Sequence, residues 1–145
     1  LVGRRVATAA WAVYGPLRFR NRDLVDLFSE RWVGLGDNLS HIVPSKWLAE
    51  HVAPERVVMR INTVLGLAEA IESEVGLGLL PCFIGDTLTN LVALSEPLGD
   101  LGSSLWLLTH PDLRQSARVR AFMDHAWDAL SKRRGLLEGR GAPTP

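Results

Sequence analysis

The stretch AIESEVGLGLLPCFIGD, residues 70–86, decides how the chain is read. It holds a helical pattern, then Gly76-x-Gly78, then an apolar run closed by Pro81 and followed by Cys82. A dinucleotide-binding loop needs its glycines after a strand and before a helix, so that phosphate meets a helix N-terminus. Here the order is reversed: Gly76 follows a helix and is expected to end it in the C′ position, and Gly78 opens a strand. Cys82, a lone cysteine at the end of an apolar strand, reads as a small buried hydrophobe, since no local signature ties it to a base. The segment is a joint between a helix and a short strand buried on both faces.

Outward from this joint, strand-like and helix-like stretches alternate. Residues 4–14 read as one long strand closed by Gly15-Pro16. RNRDLVDLFSE (20–30) reads as a short amphipathic helix with Leu24, Leu27 and Phe28 on one face, and RWVGLG (31–36) as a strand. SHIVPSKWLAEHVA (40–53) fits a helix that tolerates Pro44 only in its first turn. RVVMRIN (56–62) is a strand; Asn62 or Thr63 then caps a helix in which Val64, Leu67, Ala68, Ile71 and Val75 keep helical spacing. LGLLP (77–81), LVALSE (91–96) and SSLWLLTHP (103–111) give three more strands. The last helix, about 116–134, carries Val119, Phe122, Met123, Ala126, Trp127 and Leu130 on a stripe expected to face the core. Residues 135–145 have no periodicity and read as a flexible tail. This grammar predicts an α/β layer fold with a largely parallel sheet.

Composition narrows the function. The 145 residues are 47% hydrophobic and 22% charged, the range of one domain or two small lobes. Sixteen Lys and Arg balance sixteen Asp and Glu, so no global charge points to nucleic acid or an anionic membrane. One cysteine excludes an internal disulfide and a multi-cysteine zinc site. No apolar run approaches the roughly 18 residues of a membrane span. The basic pair Arg4-Arg5 before an apolar-leaning run reads as a strand, not a signal peptide. Without an initiating Met, the chain is expected to be a piece of something longer.

No metal, cofactor or catalytic group is called for. His41, His51, His110 and His125 share no ligand spacing, and His51 and His125 are placed on solvent faces. The seven Lys and Arg between Arg114 and Arg140 against three acidic residues read as a solvated helix face. Two helix beginnings after strands stand out: GDNLSH (36–41) and NTV (62–64). Their backbone N–H groups, the hydroxyls of Ser40 and Thr63 and the amides of Asn38 and Asn62 make a site for a carboxylate or other small anion at the strand C-termini. The alternative there is plain N-capping. The five tryptophans, Trp11, Trp32 and Trp47 among them, fill cores or line a pocket.

In this order the pieces resemble the C-terminal effector-binding region of LysR-type transcriptional regulators. LVGRRVATAAWAVYG matches the strand crossing between lobes; AIESEVGLGLLPCFIGD matches the helix, Gly-x-Gly and Leu-Pro segment; LWLLTHPDLRQSARVRAFMDHAWDAL matches the final strand and helix. The resemblance covers about residues 1–134 and implies a periplasmic-binding-protein-like fold of two α/β lobes joined by two crossing strands, with a small effector in the cleft. It implies a crossing strand and lobe II over 1–85, and a return crossing with partial lobe I over 86–134. The DNA-binding module and the first part of lobe I would be absent, leaving apolar surface exposed. By position, the cleft wall would comprise Asn38, Leu39, Ser40, Asn62, Thr63, Pro81, Cys82 and Phe83. The resemblance further implies a cytoplasmic homodimer or tetramer that meets DNA only through its N-terminal module, touches no membrane and performs no catalysis. The rival reading is a periplasmic solute-binding protein of a transporter.

Overall fold

Ala10 divides the long N-terminal strand in two, and the halves enter different sheets. The computed structural model describes residues 1–140, so residues 141–145 of the expected tail lie outside the described residues. Strand β1 (Val2–Ala9) pairs antiparallel with β7 (Ser103–Thr109); β2 (Trp11–Pro16) pairs antiparallel with β5 (Gly78–Pro81) and β6 (Leu91–Ala93). Gly15 and Pro16 do not close the strand: they pair with Val92 and Leu91, proline being tolerated at a strand end. Strands β3 (Trp32–Leu35) and β4 (Val57–Ile61) run parallel. A parallel bridge between Trp32 and Leu77, with Val33 N–H donating to Leu77 O at 2.8 Å and Leu77 N–H to Arg31 O at 2.8 Å, joins them to β5. The strands of this layer therefore lie in the order β4-β3-β5-β2-β6. Four of these strands run in one direction and β2 alone runs against them, so its two pairings are antiparallel and the sheet is mixed where a largely parallel one was expected.

Every residue of β2 is buried, as a central strand covered on both faces requires. Its alternation sends Ala10, Ala12 and Tyr14 to one side, against Leu67, Ala68, Ala70 and Ile71 of α3 (Val64–Glu72). Trp11 and Val13 go to the other, with Leu48 of α2 (Val43–His51), Val52, Leu27 and Trp32. Trp32 Nε1–H donates to Leu27 O at 2.9 Å, so the indole is buried without an orphaned donor. Leu27 belongs to α1 (Leu24–Leu27), one turn where the sequence promised a longer helix. Pro44 sits in the first turn of α2, as expected.

Gly76 does not end α3. The left-handed position falls on Glu74 (φ 60°), whose N–H bonds Ile71 O while Val75 N–H bonds Ala70 O, the pair of bonds that defines a Schellman cap. Gly76 is small for another reason: a Cβ there would lie 2.8 Å from Arg31 O, where the chain meets β3.

The second layer is thinner. Val6 and Ala7 of β1 are both buried because the register with β7 slips between Arg5 and Ala7, leaving Val6 as the extra residue of a bulge. Over it lie α5 (Ala117–Lys132) and α6 (Arg134–Leu137), with Leu105, Leu107, Trp127, Leu130 and Leu137 clustering on Val6. The helical turn α6 corrects the flexible tail expected from residue 135, because Leu137 is only 8% exposed. The α5 stripe is also less buried than its periodicity promised: no residue of α5 is fully buried, and Phe122 is 66% exposed. Two strands give a long helix a floor only along its C-terminal half. Trp106 and Leu108, on the opposite face of β7, are half exposed.

Candidate functional site

Strands β3, β4 and β5 are parallel, so their C-terminal ends share one edge of the sheet, and β2 begins at that edge. Gly36 continues β3 and donates its N–H to Ile61 O at 2.9 Å. A 3-10 turn over Asp37–Leu39 follows, and Asn38 Nδ2 donates to Asn62 O at 3.1 Å, tying the two strand ends together. The Asn62 side chain lies across Gly36, where a Cβ would collide with Asn62 Oδ1 and come within 3.3 Å of Asn38 Oδ1. The two amides thus converge on a bare stretch of backbone. Thr63 is the N-cap of α3, its Oγ1 accepting from Gly66 N–H at 3.0 Å.

The eight residues singled out from the sequence divide into groups. Asn38, Leu39, Ser40, Asn62 and Thr63 form one rim on the ends of β3 and β4. The Ser40 hydroxyl turns back to donate to Asp37 O at 2.8 Å, and Leu39 packs toward the α3 core. Pro81 and Cys82 close β5 on the same edge but are buried; Pro81 is the N-cap of α4 (Cys82–Gly85), and Cys82 N–H donates to Ala10 O at 2.8 Å. Phe83 points away from the rim and packs with Val6 and Leu137. The Thr63 oxygen and the Ser40 hydroxyl are engaged in local bonds and one Asn38 N–H is spent on Asn62 O, which leaves the second Asn38 N–H and the Asn62 amide as the groups best placed to meet a ligand.

Behind the rim is a polar knot that no local pattern announced. The buried Tyr14 hydroxyl donates to Asp86 Oδ1 at 2.7 Å, beside the Cys82 thiol. Burial pushes the Tyr14 phenol far above its ordinary range, reinforced by the Asp86 bond. Burial likewise raises the Cys82 thiol, the phenol partly opposing it and the Asp86 carboxylate adding to it. A thiol held up in this way supplies little thiolate at neutral pH, unlike an activated nucleophile. The residues 72 positions apart in this bond carry no shared sequence signal.

The histidines do not converge either: His51 stacks on Trp47 with centroids 4.2 Å apart, and His110 lies beside Asp112. Among the described residues no group of three or more His, Cys, Asp or Glu is placed to hold a metal ion. Among the same residues no helix is long and apolar enough to cross a membrane. A groove of about 540 Å³, open to solvent, lies elsewhere, lined by Gly3, Arg4, Thr109, Arg114, Arg120 and Asp124 among others. Six residues of strand lie between Gly3 and Ala10, a span of roughly 23 Å. The strand-end rim is the better candidate because two elements converge there; the groove follows from the shallow floor beneath α5.

Solved structures share this arrangement. The effector binding domain of AmpR from Citrobacter freundii superposes with a TM-score of 0.66 at 15% identity, over 90% of this chain and 68% of that one. CrgA, a LysR-type transcriptional regulator from Neisseria meningitidis, gives 0.67 at 16% identity over 90% of this chain, which spans about half (48%) of that protein. The effector binding domain of QuiR, solved in complex with shikimate, gives 0.58 at 14% identity, over 90% and 66% of the two chains. No curated protein matches the sequence. The sequence matches the LysR substrate binding domain over residues 4–131, which sets aside the transporter reading. With its periplasmic-binding-protein-like α/β fold, the chain belongs to the LysR substrate binding domain family and is the ligand-sensing part of a LysR-type transcriptional regulator.

Proposed function

We propose that the rim formed by Asn38, Leu39, Ser40, Asn62 and Thr63, backed by Pro81 and Cys82, is one wall of the effector cleft, and that the effector is a small anion. Phe83, packed on the other layer, would report cleft geometry without touching ligand. The observation that carries this reading is the convergence of the Asn38 and Asn62 amides at the ends of two parallel strands, where ligands of open α/β sheets bind. Strands β2 to β5, within residues 1–85, act as lobe II, and residues 86–134 add β6 to the same layer before returning the chain to lobe I. QuiR holds shikimate in the same fold, which makes carboxylates the first class to try.

Signalling is binding, not catalysis. An effector with greater affinity for one lobe arrangement shifts the population toward it, by no more than its differential affinity. In the cytoplasm, a dimer or tetramer passes that shift to DNA-binding modules N-terminal to this region.

The test is titration of the chain with small carboxylates, shikimate first, followed through backbone amide chemical shifts. Shifts at Asn38, Asn62 and Thr63 that vanish in Asn62→Asp, whose added charge repels an anion, are expected. Shifts mapping to Arg4, Arg114 and Arg120 instead would refute the rim, and none from any carboxylate would refute the anionic class.

A further inference from the structure

Ala10 is the single residue between two strands that enter different sheets, and both of its backbone groups are taken. Its carbonyl accepts from Cys82 N–H at 2.8 Å, and its N–H donates to Leu137 O at 2.9 Å. The first bond comes from the five-stranded layer, the second from the turn after α5. That turn grips β1 as well: Arg134 Nε and Nη2 both donate to Val6 O, at 3.0 and 2.8 Å. Val6 is the bulged residue, so its carbonyl stands outside the ladder and is free for the guanidinium. Beyond Leu137, Gly139 has φ +74°, and a Cβ there would lie 2.8 Å from Pro97, 2.9 Å from Cys82 Sγ and 3.4 Å from Ala10 Cβ. Pro97 lies on the return path, where Leu98 N–H bonds Trp11 O at 2.8 Å. One short turn thus touches the outgoing strand, the returning segment at Pro97 and the first turn of α4.

We propose that the turn Arg134–Gly139 is a clasp that fixes the angle between the two layers at Ala10, so that lobe rearrangement requires its release. This rests on the two-lobed reading, but not on the identity of the effector or the location of its site. Arg134 supplies the grip on β1, Leu137 holds the junction residue, and Gly139 alone fits between the crossing segments. Apart from Glu138, which pairs with Arg140, the other side chains of the turn are apolar, so the guanidinium bonds to Val6 O are the part of the clasp that substitution can loosen without emptying a core.

The experiment uses the whole chain without ligand, comparing wild type with Arg134→Gln, Arg134→Lys and Gly139→Ala. Amide hydrogen exchange reads the junction, and residual dipolar couplings read the orientation of β1–β7 relative to the five-stranded layer. Wild type should fit one alignment tensor. In Arg134→Gln and Gly139→Ala the Ala10 amide should exchange at least about tenfold faster while Val33 and Leu77 keep their protection, and the layers should need separate tensors; Arg134→Lys should fall between. Unchanged Ala10 exchange, or one shared tensor in both variants, overturns the clasp. So does acceleration uniform across Ala10, Val33 and Leu77, or loss of the folded spectrum, either of which assigns the turn to general stability. Failure of the carboxylate titration leaves these readouts untouched.

Discussion

Removing either partner of the Tyr14–Asp86 bond should have unequal cost, and the inequality can be worked from burial. Tyr14 is 1% exposed, and its ring leaves no room at Gly85, where a Cβ would collide with it. Asp86 is exposed. In Tyr14→Phe the carboxylate loses a donor but regains water, so the loss is the net worth of one hydrogen bond, about 1–1.5 kcal/mol. In Asp86→Ala the hydroxyl stays buried with only the Cys82 thiol beside it, a weak acceptor, and the desolvation penalty brings the loss to about 2–3 kcal/mol. At a urea m-value of about 1.5 kcal/mol/M, the midpoint falls by about 0.7–1 M in the first variant and about 1.3–2 M in the second. The double variant Tyr14→Phe/Asp86→Ala should be no less stable than Asp86→Ala, because its orphaned hydroxyl is gone. Urea unfolding followed by tryptophan fluorescence measures all three. If Tyr14→Phe costs as much as Asp86→Ala, or the double variant loses the sum, the argument from one-sided burial is wrong.

Alkaline pH should weaken the same region. Tyr14 and Cys82 are both raised in the folded state, so the unfolded chain loses these protons first; the stability they contribute is complete below about pH 8.5 and is lost as pH rises through their folded values. The loss approaches about 1.4 kcal/mol per pH unit per group, beginning near pH 8.5 for Cys82 and near pH 10 for Tyr14. Urea midpoints at pH 8, 9 and 10 should decline in wild type and flatten between pH 8.5 and 10 in Cys82→Ala; equal slopes refute the assignment. Trp32→Ala should cost about 4–5 kcal/mol and Trp127→Ala only about 1–2, since Trp32 is fully buried with its N–H bonded and Trp127 is partly exposed with an Nε1 that has no partner. Comparable losses would mean that α5 is seated more deeply than described.

Local chemistry made much of the five-stranded layer and its helices legible. The Thr63 cap, the first-turn Pro44 and the apolar LGLLP strand each depend on a few neighbouring residues, and each sits where its pattern put it. The helix end shows where such reasoning fails. Glycine is the best residue for the left-handed position, so Gly76 drew the assignment, yet Glu74 takes it because the apolar Val75 must pack and the glycine is needed two residues later against Arg31. The α5 stripe fails differently: periodicity reports which face is apolar, not how broad a floor lies beneath it. Asn38 and Asn62 were within reach as turn and cap residues, and their convergence over Gly36 follows from parallel pairing. Arg134 on the Val6 carbonyl, and Tyr14 on Asp86, join residues far apart in the chain and have no periodic or motif signature.

The two faces of β2 differ chiefly in size, the Tyr14 hydroxyl being the polar exception on the α3 side. Toward α3 it offers Ala10, Ala12 and Tyr14; toward α2 it offers Trp11 and Val13. In a half-exposed strand, a slip of one residue is penalised because polar groups enter the core. Here both faces are apolar but for the Tyr14 hydroxyl, so that safeguard is weak, and volume takes most of its place. A one-residue slip would drive the Trp11 indole into a site shaped for a methyl group under α3 and leave an alanine opposite α2. The cost is a steric clash on one side, a cavity on the other and the loss of the Tyr14 bond to Asp86. A change in salt should leave the register of this strand alone, whereas a smaller residue at position 11 should loosen it.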